Sequence, residues 1–108
     1  MAEAEIRVVM ITAPDREVGA RLARALVDEG LAACVNLVPE IRSFYRWQGE
    51  VQDDAEVLLI AKTRSDRCEA LAARVKALHP YELPEVLELP AVGGSPGYLD
   101  WVRTESSA

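Results

Sequence analysis

The first part of the chain places an apolar strand pattern directly before an amphipathic helix pattern. Residues 6–13 are rich in β-branched and apolar side chains and end at Pro14, which predicts a buried strand. From Asp15 onward, apolar residues recur at spacings of three and four, which predicts an amphipathic helix. Gly30 follows this helix and is expected to provide its left-handed C-terminal cap.

A long hairpin is predicted in the middle of the chain. A second strand covers residues 31–38, meets Pro39 and resumes at 41–47, so we expect Pro39 at a bulge or at a sheet edge. Gln48-Gly49 predicts the hairpin turn, after which a polar return leads into an apolar strand at 56–63.

The remaining pattern predicts a second helix, a short strand and a final helix. Ser65 is the expected N-cap of the second helix. This helix must stop at His79, because Pro80 restricts the residue before it to extended geometry. Residues 86–89 form a short strand pattern between two prolines, and Ser95-Pro96 is expected to cap and begin the last helix.

This order of elements predicts an α+β fold of the ferredoxin-like class, βαββαβ plus a C-terminal helix, with an antiparallel sheet. We expect one domain over residues 1–108, with the first and third strands at the centre of the sheet. Both main helices fall on one face under the right-handed crossover rule, and the last helix is too short to cover the other. The apolar face left open indicates a homo-oligomer.

Composition and charge argue against several classes of function. The net charge is −6 and the twelve basic residues are scattered, so a nucleic-acid partner is not expected. The amino terminus is acidic and no apolar run reaches membrane-spanning length, so neither a secretory signal nor a membrane partner is indicated. Cys34 and Cys68 lie far apart, which suits reduced thiols in a cytoplasmic protein.

The segment 79–85, His-Pro-Tyr-Glu-Leu-Pro-Glu, is the most specific in the chain because it holds the only histidine and two of the six prolines. The helix dipole favours a protonated ring at His79, and the proline-restricted turn limits where Tyr81, Glu82 and Glu85 can reach. His79 is either a metal or ligand contact or a residue that merely complements the helix end. Glu82 and Glu85 either bind a ligand or cation or are solvated turn residues.

Aromatic residues and one lysine indicate where a binding site lies. Lys62 ends an apolar strand, where its ammonium either enters a cleft or marks the point at which the strand reaches water. The aromatic residues lie outside the predicted central strands and main helices, which favours an interface or ligand cleft over a satellite core under loops. They are Phe44, Tyr45, Trp47, Tyr81, Tyr98 and Trp101.

Six segments of the chain occur in the same order as the motifs of a known family. They are Thr12-Ala13-Pro14, Leu31 to Asn36, Ser43 to Gly49, Glu56 to Thr63, His79 to Glu85 and Tyr98 to Trp101. On these motifs, which extend over nearly the whole chain, the protein resembles the CutA family of divalent-ion tolerance proteins.

The resemblance implies a ferredoxin-like fold assembled as a tight homotrimer, similar in architecture to the PII nitrogen-signalling proteins. It also implies an association with tolerance to copper and other divalent metals. The copper ligands proposed in the family are a cysteine before Thr-Ala-Pro and two histidines before Pro-Tyr. Here those positions hold Ile11, Leu78 and His79, so only His79 corresponds. One imidazole cannot hold copper by itself.

We therefore predict a non-enzymatic, cytoplasmic homotrimer that binds a divalent metal such as copper, or a small ligand, at clefts between subunits and serves metal tolerance or signalling. An enzyme is not indicated, because one histidine and two isolated cysteines form no catalytic set. The alternative is a trimeric scaffold or signalling adaptor that presents a surface to a protein partner and binds no physiological metal. The candidate residues are His79 for the metal and Lys62, Tyr81, Glu82, Glu85, Tyr45 and Trp47 for the ligand.

Overall fold

The computed structural model describes residues 4–107, so residues 1–3 of the acidic amino terminus lie outside the described part. Its strands are β1 (Ile6–Ala13), β2 (Cys34–Trp47), β3 (Glu50–Arg64) and β4 (Val86–Pro90). They form an antiparallel sheet in the order β2-β3-β1-β4. The predicted ferredoxin-like α+β class is confirmed, and the first and third strands are the central ones.

The first helix, α1 (Arg16–Asp28), begins and ends as its sequence predicts. The Asp15 carboxylate accepts a hydrogen bond from the Val18 backbone N–H, which is a side-chain N-cap. Gly30 has a φ of 70°, and Leu31 N–H donates to the Leu26 carbonyl at 2.9 Å. The second strand therefore starts at Cys34 and not at residue 31, since the chain is still closing the helix end.

The second helix, α2 (Cys68–Leu78), begins later than predicted, so the assignment of Ser65 as its N-cap is wrong. The Ser65 backbone N–H still pairs with the Glu5 carbonyl at 2.7 Å, which extends the contact between β1 and β3. A 3₁₀ turn over Ser65–Arg67 then leads into the helix. The helix ends before His79, as Pro80 requires.

The last helix, α3 (Pro96–Glu105), starts at the predicted proline. Ser95 occupies the N-cap position, but its side chain makes no capping hydrogen bond. The expected serine cap is thus correct in position only.

The hairpin of β2 and β3 contains the predicted irregularity at Pro39. Val38 lies opposite Leu58, whereas Ile41 lies opposite Glu56, so Pro39 and Glu40 together face a single residue. At the tip, Gln48 and Gly49 have φ values of 51° and 83°, which form a two-residue hairpin turn.

One face of the sheet carries the main core and the other is only partly covered. Helices α1 and α2 pack on the face that holds Ile11 and Leu59, both 0% exposed. Helix α3 covers one end of the other face through Val102, which packs with Ile6. Leu87, on the strand beside β1, remains 55% exposed. The expectation that α3 is too short to close this face is therefore correct.

Candidate functional site

A pocket of about 540 Å³ lies between the turn that follows α2 and the β2–β3 hairpin. The turn and strand β2 each supply four of the lining residues, and strands β1 and β3 supply one each. The lining residues are Thr12, Ser43, Phe44, Tyr45, Trp47, Glu56, Tyr81, Glu82, Leu83 and Glu85. Five of the predicted ligand residues, Tyr45, Trp47, Tyr81, Glu82 and Glu85, are thus brought together.

The bulge at Pro39 determines which aromatic side chains share the face of Glu56. Directly opposed residues of antiparallel strands point to the same side of a sheet, and side chains alternate along each strand. Because Ile41 opposes Glu56, Tyr45 and Trp47 lie on the Glu56 face. With uninterrupted pairing, residues 44 and 46 would lie there instead.

Glu56 is the most buried carboxylate of this site. Its side chain belongs to a residue only 6% exposed, and the Tyr81 hydroxyl donates to its Oε2 at 2.7 Å. Within residues 4–107 the second carboxylate oxygen accepts no hydrogen bond, and it is accessible to solvent. Burial, followed by the hydrogen bond and charge of Glu56, raises the pKa of Tyr81 well above its usual value. Tyr81 therefore acts as a neutral donor to a buried acceptor.

The charged side chains that line the pocket are all acidic. Glu85 is an exposed residue, but its partial desolvation raises the pKa of its carboxyl group, and the nearby Glu56 charge raises it further. The Tyr45 hydroxyl donates to Asp54 at 2.6 Å, and this hydrogen bond raises the pKa of Tyr45. Glu82 is the third carboxylate of the lining, and the described lining residues include no Lys, Arg or His. Such a pocket attracts positively charged ligands.

His79 is a structural link between the turn and the sheet. Its ring is 8% exposed, its Nε2–H donates to the Thr12 carbonyl at 2.8 Å, and its Nδ1 accepts the Tyr81 backbone N–H at 3.1 Å. Both ring nitrogens thus have backbone partners, one a carbonyl and the other an N–H group. Protonation of the ring by the helix dipole stays a prediction.

Metal ligation by His79 stays a prediction, and its surroundings count against it. A metal ion at either ring nitrogen would displace one of the two hydrogen bonds. Among residues 4–107, no cluster of three or more His, Cys, Asp or Glu side chains is arranged to hold a metal ion. The Ile11 and Leu78 positions, where the resemblance places other ligands, are apolar.

Lys62 does not belong to this pocket within one chain. It lies six residues beyond Glu56 along β3, a separation of about 20 Å for an extended strand. Its ammonium donates to the Asn36 side-chain oxygen. A role for Lys62 in ligand binding therefore requires a neighbouring subunit and stays a prediction.

Glu56, the central carboxylate of the site, is absent from the residues predicted to bind a ligand. The sequence pattern indicates it only as the first position of an apolar strand. One signal was available: Glu56 is a charged residue at the start of a buried run, opposite the segment that holds Tyr45 and Trp47. This signal identifies Glu56 only if the pairing register of β2 and β3 beyond the bulge is known. That register depends on pairing between strands and not on neighbouring residues.

Cys68 is unsuited to nucleophilic chemistry despite its place at the start of α2. The residue is 5% exposed, and burial raises the pKa of its thiol to about 11. At neutral pH the side chain is therefore a protonated thiol that packs as a small apolar group.

Comparison with known proteins identifies the family. A model described as CutA1 divalent ion tolerance protein matches residues 7–105. The chain belongs to the CutA1 divalent ion tolerance family. This confirms the resemblance carried by the sequence motifs and associates the chain with divalent-cation tolerance.

Relatives of this CutA1 family member include proteins from bacteria, plants and animals. The divalent-cation tolerance protein CutA of Thermus thermophilus is 55% identical over 96 residues, which cover 89% of this chain and 93% of the relative. Its solved structure matches with a TM-score of 0.91 and 53% identity, covering 93% of this chain and 97% of that chain. The chloroplastic CutA of Arabidopsis thaliana is 52% identical over 92% of this chain, but this chain spans only 54% of it.

The compartment predicted from the sequence is wrong. A solved structure from Archaeoglobus fulgidus, 35% identical with a TM-score of 0.91 over 94% of this chain and 99% of that chain, is described as a periplasmic divalent cation tolerance protein. Relatives from Arabidopsis and rice are chloroplastic. Membership of the CutA1 family thus does not imply a cytoplasmic location, and two separate cysteines do not specify one. Among the described residues, every helix is too short or too polar to cross a membrane.

Proposed function

We propose that this CutA1 family member serves divalent-cation tolerance as a non-enzymatic homotrimer that binds a small, positively charged ligand in the Glu56–Tyr81 pocket. The observation that carries the proposal is the lining itself. It contains three carboxylates, one of them buried, and the described lining residues include no basic side chain. A pocket of this charge selects cations and repels anions.

A trimer is supported by the uncovered face of the sheet. Leu87 and Leu89 are 55% and 43% exposed, beside the central strand β1. Tyr98 and Trp101 of α3 lie 5.7 Å apart between ring centroids and are each 44% exposed. A neighbouring copy would bury these side chains, as the resemblance to trimeric proteins implies.

The absence of enzymatic activity is supported by the state of the candidate nucleophile and base. Cys68 is buried with a raised pKa, and both ring nitrogens of His79 are hydrogen bonded to backbone groups. Within residues 4–107 the pocket therefore combines carboxylates and phenols without an activated nucleophile.

The residues of the pocket do not fit a resident copper or zinc ion. Sites for these metals usually have three or four protein ligands that include imidazole nitrogen or thiolate sulfur, whereas the described lining offers only carboxylate and hydroxyl oxygens. We therefore derive no function from copper held by His79.

A thermal-shift screen tests the proposal, since a ligand selective for the native state raises the melting temperature. The screen contains matched cationic, neutral and anionic small molecules together with Mg²⁺, Mn²⁺, Zn²⁺ and Cu²⁺. We expect stabilisation by cations and its loss in Glu56→Gln. Glu105→Gln, which removes the same charge from the far end of α3, is the control and keeps the stabilisation. Stabilisation by anions alone contradicts the proposal, and light scattering on the same samples tests the trimer.

The second candidate is a scaffold that presents a surface to another protein. It is favoured by Val92, which is fully exposed, and by Leu83 at 72% exposure. The scaffold becomes the better description under two conditions. The trimer must form with these residues still accessible to solvent, and no cation in the screen must raise the melting temperature. Accessibility is measured by labelling cysteines introduced at these two positions.

A further inference from the structure

The acidic pocket also presents aromatic surface, and the two features together specify a class of ligand. We infer that the ligand carries an organic ammonium group with N–H donors and is not a bare metal ion. This inference rests on the proposed function, because it names the chemical class of the cation that the same pocket binds.

The first step is charge. Glu56 is only 6% exposed, and its hydrogen-bond donor within residues 4–107, the Tyr81 hydroxyl, is neutral. A buried carboxylate is normally paired with a cation or saturated with hydrogen bonds. Within residues 4–107 the second oxygen of Glu56 accepts no hydrogen bond and is accessible to solvent, and Glu82 and Glu85 add further negative charge. A cationic ligand would supply the missing partner.

The second step is aromatic surface. The register after the bulge places Tyr45 and Trp47 on the face of Glu56, and Tyr81 contacts the same carboxylate from the turn. Ring faces attract a cation that has few or no bound waters, such as an organic ammonium. A hydrated divalent ion gains less from them, because it keeps several waters in its own shell.

The third step is the poor fit of a bare metal ion. Divalent hard cations take about six or more oxygen ligands in their sites. In the described part of the chain no three or more Asp, Glu, His or Cys side chains converge on one point. The pocket volume of about 540 Å³ instead falls within the range of sites for small organic molecules.

The fourth step is the need for N–H donors. Carboxylate oxygens accept hydrogen bonds, and the available acceptors here are the second oxygen of Glu56 and the Glu85 carboxylate. A primary ammonium donates three hydrogen bonds, whereas a quaternary ammonium donates none. An ammonium on an apolar framework also contacts Leu83, the aliphatic member of the lining.

Tryptophan fluorescence provides a direct test in the full chain. The protein has two tryptophans, so Trp101→Phe leaves Trp47 at the pocket as the only reporter. The probes are benzylammonium, benzyltrimethylammonium, benzyl alcohol, benzoate and Mn²⁺. We expect a saturable change with benzylammonium, at least tenfold weaker binding of benzyltrimethylammonium, and no saturation with benzyl alcohol or benzoate.

Variants of the carboxylates separate the possible outcomes. Glu56→Gln is expected to weaken benzylammonium at least tenfold, and Glu105→Gln to leave it unchanged. Glu85→Gln takes the place of Glu56→Gln if that variant lacks a cooperative melt. Binding of Mn²⁺ that depends on Glu56, without binding of benzylammonium, overturns this inference but leaves the proposed function intact. Binding of benzoate alone, or of no cation, overturns both.

Discussion

The two main helices end in different ways, and the difference explains where the pocket lies. Helix α1 ends through Gly30, whose φ of 70° lets backbone N–H groups of the next residues close the last turn. Helix α2 ends at His79 and Pro80, and here a side chain completes the connection. The His79 ring bonds to the Thr12 carbonyl of β1 and to the Tyr81 N–H.

A glycine end stops a helix without determining what the following side chains contact. A histidine–proline end stops the helix and also determines what the following side chains contact. The His79 ring lies 4.6 Å from the Tyr81 ring between centroids, and Tyr81 in turn donates to buried Glu56. The only histidine of the chain therefore positions a pocket residue, and the α2 end is the part of the fold that builds the site.

Among the substitutions that test this difference between the two helix ends, removal of the His79 ring should have the largest effect on stability. His79→Ala loses two hydrogen bonds and a buried ring, so we expect a loss of about 3 kcal/mol in the free energy of unfolding. Urea unfolding measures the loss.

His79→Gln is the matched control, because its amide can donate to Thr12 and accept from Tyr81, and it should recover part of the stability. A Cu(II) titration of the same variants tests the alternative. Equal copper binding by the parent and His79→Ala identifies the residue as structural. Loss of copper binding with little loss of stability would show instead that His79 is a metal ligand.

The next effect concerns the hydroxyl that reaches the pocket from the α2 end. Tyr81→Phe keeps the ring against His79 but leaves Glu56 Oε2 without its donor. We expect a loss of about 1 to 2 kcal/mol in unfolding free energy, measured with urea, since a buried carboxylate loses a hydrogen bond. Tyr98→Phe on α3 is the control and should stay within about 0.5 kcal/mol of the parent. Equal losses in both variants would contradict the role assigned to the Tyr81 hydroxyl.

The accuracy of the sequence-based predictions follows from how local each signal is. The strands, the Gly30 cap, the bulge at Pro39 and the Gln48-Gly49 turn were predictable, because each depends on neighbouring residues. Ser65 was mistaken for a cap because its backbone N–H pairs with Glu5, sixty residues away along the chain.

Most of the aromatic and acidic residues that line the pocket could be predicted from the sequence, but the contacts between them could not. Five lining residues were expected, yet their central partner, Glu56, depends on strand register after a bulge. The role of His79 depends on Thr12, which is 67 residues away. Lys62 shares a strand with Glu56, and only the extended geometry shows that the two are too far apart for one pocket.

The glycine end of α1 can be broken without touching the pocket. Gly30→Ala forces an L side chain into positive φ, at a cost of about 1 kcal/mol in unfolding free energy. Gly30→Asn tolerates this conformation better and should cost less. Cation binding should be unchanged in both variants, as judged by thermal shift. Weaker binding in Gly30→Ala would show that the two helix ends are not independent.

The smallest expected effect is a change in the pH dependence of stability after Glu85→Gln. Partial desolvation and the Glu56 charge raise the pKa of Glu85 in the folded state, so folding favours the protonated form. The resulting penalty is present above the folded-state pKa and disappears as pH falls below the ordinary value near 4.5. Glu85→Gln should thus be relatively more stable at pH 7 than at pH 4, as measured by urea unfolding across that range.

The same pH profile shows whether the α2 end holds the charged groups together. The partial desolvation of Glu85 and its proximity to Glu56 both depend on the turn, and the turn depends on the His79 ring. In a His79→Ala background, the turn should loosen and the effect of Glu85→Gln on the pH profile should shrink. If Glu85→Gln changes the pH profile as much in that background as in the parent, the prolines alone maintain the pocket. Both helix ends then only terminate their helices.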